Sequence, residues 1–416
     1  MDALLALTNI AVVLLLGLLC SLLAKKLRIS DVLVLLLLGI ILGRLAYNGQ
    51  SLFVFDDSFI IAVGVLALVM VVFDSASRFR LDEKNNFSRQ SFKLIGWFIL
   101  FAILTVPSFT NILFFKSISL VNVLLSLILT LVLVGTDIDA VIVMLSNCVG
   151  SRAKKVLGLL HIEATLNTLL VVVLPFIIID IINNLALGQQ GAAISLGNQL
   201  WMLLLQLIVG IGAGVVVGLV ILKAMQRFYH HHISPIVLVA AALLAYVVAE
   251  NLKGNGALAV ASLGFLFGSF YVKEKPRLQE FSYMLSNALE ILVFVLLGII
   301  IRLPLSADFI LKSLLIFLLV VISRLAAVFV SLRKTDYSLR EKFFISLNLP
   351  KGIVVVAVIF FLALYDEQRF TLMLNIIFAV TVYSLLLSLV LDKFSGKFLD
   401  SNNERKNQVI KNKIRS

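Results

Sequence analysis

Long apolar stretches separated by short polar breaks run along nearly the whole chain, from Leu4 to Leu391. Most of them hold roughly 18 or more residues, which as an α-helix is enough to cross about 30 Å of hydrocarbon. With the polar breaks as boundaries, the pattern predicts an all-α polytopic membrane protein of about 13 transmembrane helices. These lie near residues 3–24, 30–48, 56–76, 91–115, 118–147, 156–182, 197–224, 234–250, 255–272, 281–301, 307–332, 341–365 and 370–391.

The two ends of the chain differ from each other. The first apolar stretch, Leu4 to Leu23, has no basic residues before it and no A-x-A-like cleavage site after it, so we interpret it as a retained helix and not a signal peptide. The segment after Leu391 is polar and rich in Asn and Lys. The predicted organisation is one transmembrane domain, residues 1–391, followed by a short basic cytoplasmic tail, residues 392–416.

Composition agrees with this pattern, since 61% of the residues are apolar and only 14% are charged. The net charge of +12 would suggest nucleic-acid binding in a soluble domain. Here most Lys and Arg residues lie in alternate short loops, as in membrane proteins oriented by the positive-inside rule. The sequence therefore predicts a multi-pass protein of the cell membrane, with its N-terminus outside, its C-terminus in the cytoplasm and no nucleic-acid partner.

A few ionisable residues remain inside the apolar spans, where each costs several kcal/mol unless it is paired or solvated. Each is therefore a candidate site residue, and the alternative is a buried structural ion pair. The acids are Asp74, Asp137, Asp139, Glu163 and Glu290, and the bases are Arg324 and Lys351.

Two spans carry helix-breaking residues near their middle. Gly135 and Thr136 interrupt the Leu/Val-rich fifth span, and Pro350 with Gly352 interrupts the twelfth. The two spans run in opposite directions across the membrane. Two discontinuous helices that cross in antiparallel halves are typical of inverted-repeat transporters.

Broken helices present partial charges at their exposed ends, which nearby side chains can balance. We expect Asp137 at one break and Lys351 at the other to neutralise the crossing. The alternative for Pro350-Lys351-Gly352 is a re-entrant turn nearer the cytoplasmic surface.

The sixth span carries Glu163 and Asn167 on one helical face. A buried carboxylate needs a partner, and Arg324 is the arginine that lies deep inside a span. We therefore predict a buried ion pair between Glu163 and Arg324.

Taken in order along the chain, these motifs resemble the sodium/proton exchanger branch of the monovalent cation:proton antiporter superfamily. The likeness runs from the first span to the thirteenth. Its motifs are the glycine-marked Val32–Gly43 stretch, Val72-Phe-Asp74, Thr136-Asp137, Glu163 through Asn167, Arg324 and Lys351-Gly352.

The resemblance implies that spans four to six and eleven to thirteen form a moving core, which gives alternating access against a dimerisation domain in a homodimer. One position departs from the family pattern. The Asn of the sixth span is normally followed by an Asp that binds the ion and carries the proton, whereas Asn167 is followed by Thr168. Either Asp137, helped by Asp139, has taken over proton coupling, or the ion or stoichiometry has changed, or transport is lost. We favour the first.

The predicted function is exchange of Na⁺ or K⁺ for protons across the lipid bilayer. Asp137, Thr136, Asn167, Thr168 and backbone carbonyls would bind the dehydrated cation, and protonation of Asp137 would expel it. Asp74 and Glu290 are secondary candidates.

No cofactor is predicted, nor is enzyme activity, since the sequence shows no paired His/Asp metal motif and no nucleophile elbow. Two alternatives remain open. One is an organic-anion symporter on a related fold, with Arg324 or Lys351 binding the substrate carboxylate. The other is a non-transporting membrane homologue that acts as a scaffold or sensor.

Overall fold

Helices make up most of the computed structural model, which describes residues 3–27, 31–47, 50–53, 55–78, 86–136, 151–186, 196–228, 230, 233–270, 272–301, 303–304, 306–349, 351, 355, 358 and 367–399. The helices are α1 (Ala3–Leu27), α2 (Asp31–Arg44), α3 (Asp57–Ser77), α4 (Asn86–Thr110), α5 (Leu120–Val134), α6 (Ser151–Ala186), α7 (Leu196–Arg227), α8 (Ser234–Asn251), α9 (Gly256–Ser269), α10 (Lys275–Ile300), α11 (Ala307–Ser331), α12 (Leu339–Leu347) and α13 (Glu367–Leu399). A π-helical turn, Asn111–Phe115, continues α4, and β1 (Ala46–Tyr47) pairs with β2 (Gln50–Ser51) in an antiparallel register.

The all-α membrane fold class is confirmed, and several helix ends differ from the predicted ones. Helix α2 ends at Arg44 instead of near residue 48, because the chain turns there into the short strand pair. Helix α10 begins at Lys275 instead of residue 281, and α13 continues to Leu399 instead of ending at 391. The predicted ends rest on polar residues, which mark where a helix leaves the hydrocarbon core of the bilayer. A helix can continue beyond that point into water, so it can be longer than its apolar span.

Length and composition make many of these helices suitable for crossing a membrane. Among the described residues, eight helices hold a span of 18 or more residues with sufficient hydropathy. They contain Leu7–Ala24, Ser58–Ser77, Arg89–Phe115, Leu204–Arg227, Ser234–Asn251, Lys275–Ile300, Ala307–Ser331 and Phe370–Leu391. Leu120–Val134 and Gly256–Ser269 are shorter apolar helices.

Helix packing repeats along the chain with an offset of seven helices. Helix α4 packs on α5 and α6, as α11 packs on α12 and α13. Helix α2 packs on α10, and their equivalents, α9 and α3, pack on each other in the same way. Two further pairs, α4–α11 and α3–α10, each join a helix to its own equivalent. Seven is an odd number, so equivalent helices cross the membrane in opposite senses. The packing is that of the predicted inverted repeat.

The same contacts divide the helices into two groups. Helices α4, α5, α6, α11, α12 and α13 pack chiefly on one another, and we call them the core bundle. Helices α1, α2, α3, α7, α8, α9 and α10 form the scaffold bundle, which meets the core bundle through α3 and α9 against α6. The core bundle consists of the helices that the sequence resemblance marks as the moving part.

Small residues let helices of the scaffold bundle approach closely. A Cβ atom on Gly39 of α2 would lie 2.3 Å from the carbonyl oxygen of Val295 and 2.8 Å from the Cα of Gly298 on α10. Lipid is as apolar as a helix surface, so membrane helices associate largely through such close packing.

Candidate functional site

The first break lies where the sequence places it. Helix α5 ends at Val134, and Gly135 leaves the helical conformation with φ −51° and ψ 135°. A Cβ atom on Gly135 would lie 2.6 Å from Cγ2 of Val355 and 3.1 Å from Cγ2 of Val171. The absence of a side chain at Gly135 therefore allows the broken helix to touch the twelfth span.

The second break follows α12. Helix α12 ends at Leu347, and Asn348 becomes extended with φ −80° and ψ 93°. The chain is helical again at Val355 and Val358. Pro350 and Gly352, which predicted this break, lie outside the described residues.

Four consecutive carbonyl groups at the end of α5 receive hydrogen bonds from outside the regular helix. The Val132 carbonyl accepts from the Gly135 N–H at 3.2 Å, and the Val134 carbonyl accepts from Nδ2 of Asn167 at 2.7 Å. Lys351 Nζ donates to the carbonyls of Leu133 and of Gly135, the latter at 2.8 Å. Because the last carbonyls of a helix have no partners within it, these bonds allow α5 to end inside the protein.

A bidentate ion pair joins α6 to α11. Arg324 donates from Nη1 to Oε1 of Glu163 at 2.9 Å and from Nη2 to Oε2 at 3.0 Å. Both side chains are buried, at 0% and 1% exposure. The guanidinium also lies over the ring of Phe98, 5.2 Å from its centroid. Two parallel charge-assisted bonds fix the geometry as well as the charge of this pair.

Each broken helix ends against a buried cation. Arg324 Nε donates to the Ile345 carbonyl in the last turn of α12 at 3.2 Å, just as Lys351 donates at the end of α5. Cations stabilise the partial negative charge at helix C-termini. Arg324 and Lys351 therefore lie where the C-terminal ends of the two broken helices carry partial negative charge.

Thr136 and Asn167 link the break in α5 to the ion pair. Asn167 Nδ2 lies 3.3 Å from Oγ1 of Thr136, which donates to Oε1 of Glu163 at 3.4 Å. Asn167 is fully buried, yet within the described part of the chain its Oδ1 has no hydrogen-bond partner. That oxygen is an unused ligand beside the break.

The structure thus brings together Thr136, Glu163, Asn167, Arg324 and Lys351. Asp137 and Asp139 lie outside the described residues, and Asp137 directly follows Thr136 in the sequence. Thr168 follows Asn167 on α6, and its side chain is also outside the described part.

The two secondary candidates lie on the scaffold bundle. Asp74, near the end of α3, accepts a hydrogen bond from Nη2 of Arg78 at 2.6 Å. The guanidinium of Arg78 lies over the ring of Tyr283 on α10. Glu290 is half-buried on α10. The crossing belongs to the core bundle, so neither acid sits on a helix that forms it.

Sequence reasoning missed three side chains at the crossing. Phe98 covers Arg324, Ser384 Oγ on α13 donates to the Leu349 carbonyl, and Asn348 is buried at the second break. Phe98 and Ser384 lie in ordinary membrane helices, and no local pattern distinguishes them. Asn348 could have been found, because an amide beside a helix-breaking Pro in an apolar span is unusual.

Comparison with known proteins gives a consistent result. A family model described as sodium/hydrogen exchanger, transmembrane, matches residues 10–393. The Na⁺/H⁺ antiporter 1 of Methanocaldococcus jannaschii is 25% identical over 379 residues, which cover 86% of this chain and 83% of the relative. The low-affinity Na⁺/H⁺ antiporter NhaS1 of Synechocystis is 27% identical over 211 residues, covering 46% of this chain and 39% of that protein.

A solved structure has the same fold. The sodium proton antiporter MjNhaP1 from Methanocaldococcus jannaschii, in its structure at pH 8, superposes with a TM-score of 0.77 at 20% identity. The match covers 96% of this chain and 99% of that one. An electron-microscopy map of MjNhaP1 matches with a TM-score of 0.70, also at 20% identity, over 96% of this chain and 98% of that one.

Proposed function

Because the chain belongs to the sodium/hydrogen exchanger family, we propose that Asp137 is the group for which its cation and its proton compete. The protein is a multi-pass membrane antiporter that exchanges sodium for protons. The family favours this activity over organic-anion symport and over a non-transporting role.

The charge pattern at the crossing carries the proposal for Asp137. Arg324 is bound to Glu163 and to a carbonyl, and Lys351 is bound to the carbonyls that end α5. Within the described residues, both cations of the core-bundle crossing therefore already have partners. A carboxylate next to Thr136 would then bind a mobile cation or a proton, since Lys351 is held by the carbonyl groups at the end of α5.

Neutral oxygens complete the proposed cation site. Oγ1 of Thr136 and the unused Oδ1 of Asn167 are buried close together, linked through Nδ2 of Asn167. With Thr168 and Asp139 as further ligands, they would replace the hydration shell of Na⁺. Hard cations such as Na⁺ prefer oxygen ligands of this kind.

Exchange requires only that one carboxylate cannot hold both ions at once. Na⁺ binding displaces the proton, and protonation removes the charge that holds Na⁺. Movement of the core bundle against the scaffold bundle would expose this group to either side in turn. A ligand shifts such an equilibrium only through its different affinity for the two states.

Orientation and assembly are part of the same proposal. The distribution of basic loops supports a location in the cell membrane with the C-terminus in the cytoplasm. The family resemblance adds a homodimer, with the scaffold bundle as its interface. Light scattering of the detergent-solubilised protein measures its mass and tests the dimer.

Replacement of Asp137 by Asn tests the exchange group. In everted vesicles, Na⁺-dependent proton movement should fall to background in this variant while the protein still inserts in the membrane. Measurements with Na⁺, Li⁺ and K⁺ over a pH range, with and without an imposed voltage, give ion preference and stoichiometry.

Asp308→Asn is the matched control, because Asp308 is an exposed acid in the first turn of α11 that pairs with Lys312. This variant removes an acid away from the crossing and should exchange normally. Normal exchange by Asp137→Asn would refute the assignment of Asp137.

A further inference from the structure

Asn348 at the second break has a buried side-chain amide. Its exposure is 1%, and within the described part of the chain neither Oδ1 nor Nδ2 has a hydrogen-bond partner. Its backbone N–H is bonded to the Phe344 carbonyl at 3.0 Å.

Two other buried asparagines of the core bundle, Asn111 and Asn167, are partly satisfied. Asn111, at 6% exposure, donates from Nδ2 to the Pro107 carbonyl at 2.8 Å and to Oγ of Ser126 at 3.0 Å. Asn167 uses its Nδ2 in the same way. A buried polar group without partners is destabilising, so Asn348 holds an unfavourable position that a core Leu would not.

Two anchors tie the segment that carries Asn348 to the crossing. On its N-terminal side, the Ile345 carbonyl accepts from Arg324, which is paired with Glu163. On its C-terminal side, Lys351 reaches the carbonyls at the end of α5. The short segment that carries Asn348 is thus tied at both ends to groups that touch the break at Thr136.

We propose that Asn348 is a further ligand of the transported cation, with its Oδ1 bound to Na⁺ together with Oδ1 of Asn167 and Oγ1 of Thr136. This inference rests on the proposed function of the crossing and extends it to the second broken helix. Na⁺ would then bridge both breaks. The unsatisfied amide destabilises the protein without the ion but keeps an oxygen available to bind Na⁺, as functional sites often trade stability for activity.

Substitution at Asn348 separates a ligand from a structural residue. Asn348→Leu removes the oxygen and the unsatisfied amide together, so the apparent KM for Na⁺ should rise by about tenfold while Tm stays equal or increases. The Na⁺-induced increase in Tm of the purified protein should shrink in parallel. Asn348→Asp keeps an oxygen at the same place, and its KM for Na⁺ should not rise.

Asn111→Leu is the matched control, because it makes the same change at a buried asparagine whose Nδ2 is bonded to the Pro107 carbonyl and to Ser126. It should lower Tm and leave the KM for Na⁺ unchanged. The proposal is overturned if Asn348→Leu keeps the KM for Na⁺ within about twofold of the original, or if it lowers Tm as much as Asn111→Leu does. Either result would show that the amide serves the fold.

Different results would refute the proposed function and the role of Asn348. Absence of Na⁺-dependent proton flux in the unaltered protein would remove the proposed function. Normal flux in the unaltered protein, with an unchanged Na⁺-induced Tm shift in Asn348→Leu, would remove only the role of Asn348.

Discussion

The Glu163–Arg324 pair illustrates how a single charged residue behaves in this protein. A buried ion pair repays its desolvation only when its geometry is good and its remaining groups are bonded. Here the contact is bidentate, and Nε of Arg324 is bonded to Ile345. The pair therefore neutralises two charges that the bilayer would exclude singly, and it joins α6, α11 and α12.

Removing one partner should be far more harmful than removing both. Glu163→Gln leaves the guanidinium of Arg324 buried without a counter-charge, and we expect a loss of about 3–5 kcal/mol in stability. Glu163→Leu combined with Arg324→Met should recover most of that loss, because no charge remains. Thermal unfolding of the purified variants in detergent measures both.

The Lys312–Asp308 pair on α11 provides the comparison. Its oxygen and nitrogen are 2.6 Å apart, but Asp308 is 71% exposed. Exposed pairs contribute at most about 1 kcal/mol, so Asp308→Asn should change Tm little. If Glu163→Gln proved equally mild, the buried pair would have no special structural importance.

Charged residues of the site were visible in the sequence, while neutral ones were harder to find. Glu163, Arg324 and Lys351 stand out because each is costly within an apolar span. Phe98 contacts the same guanidinium, but one phenylalanine among 30 carries no local signal. Its role depends on a contact between separate helices, which spacing along the chain does not reveal.

At the level of elements, the interruption of α5 depends on the close approach of another span. Gly135 has Val355 and Val171 near the place where a Cβ atom would lie. The carbonyls freed by the interruption are bonded by Lys351 and Asn167, which come from two other spans. The break is therefore a property of three spans together.

Gly135→Ala should destabilise the crossing by about 1–3 kcal/mol, because the added methyl group meets Val355 in a packed core. Val355→Ala makes room for that methyl, so the double variant should be more stable than the sum of the single effects predicts. A double-mutant cycle from unfolding midpoints measures this coupling.

Gly96→Ala on α4 controls for the general effect of losing a glycine. A Cβ atom on Gly96 would have no neighbour within 4 Å, and the residue lies inside a helix. This change should be neutral or stabilise by up to about 1 kcal/mol. Equal effects at Gly96 and Gly135 would contradict a specific contact at the break.

For the whole molecule, the seven-helix offset explains why one membrane site can face two sides. Equivalent helices of the two halves cross in opposite senses, so the α5 and α12 breaks are related positions in the repeat. The α5 break ends against Lys351, which the other half supplies. Helix α12 ends against Arg324 of its own half, and the partner of Arg324, Glu163, lies on α6 of the other half. Such symmetry suits a site that opens alternately to either surface.

Cysteine labelling tests the proposed orientation of the whole chain. In a background with Cys20 and Cys148 replaced by Ala, Ser117→Cys in the α4–α5 loop should react with an impermeant maleimide on intact cells. Asp336→Cys, in the basic loop between α11 and α12, should react only after permeabilisation. The Asp336 side chain is 99% exposed, so burial would not protect it. The opposite labelling pattern would reverse the assigned orientation.

The sequence by itself determined the features that depend only on a residue and its near neighbours along the chain. These are the apolar spans, the breaks at Gly135 and near Pro350, and the charged residues inside spans. Bilayer hydrocarbon penalises each polar group wherever it occurs, so these features appear without knowledge of neighbours. Helix extension past the hydrocarbon and the partners of each buried group were decided by tertiary structure. Glu163 and Arg324 are 161 residues apart, and Lys351 is 218 residues from Leu133. Only the folded packing of opposite halves brings such groups within bonding distance.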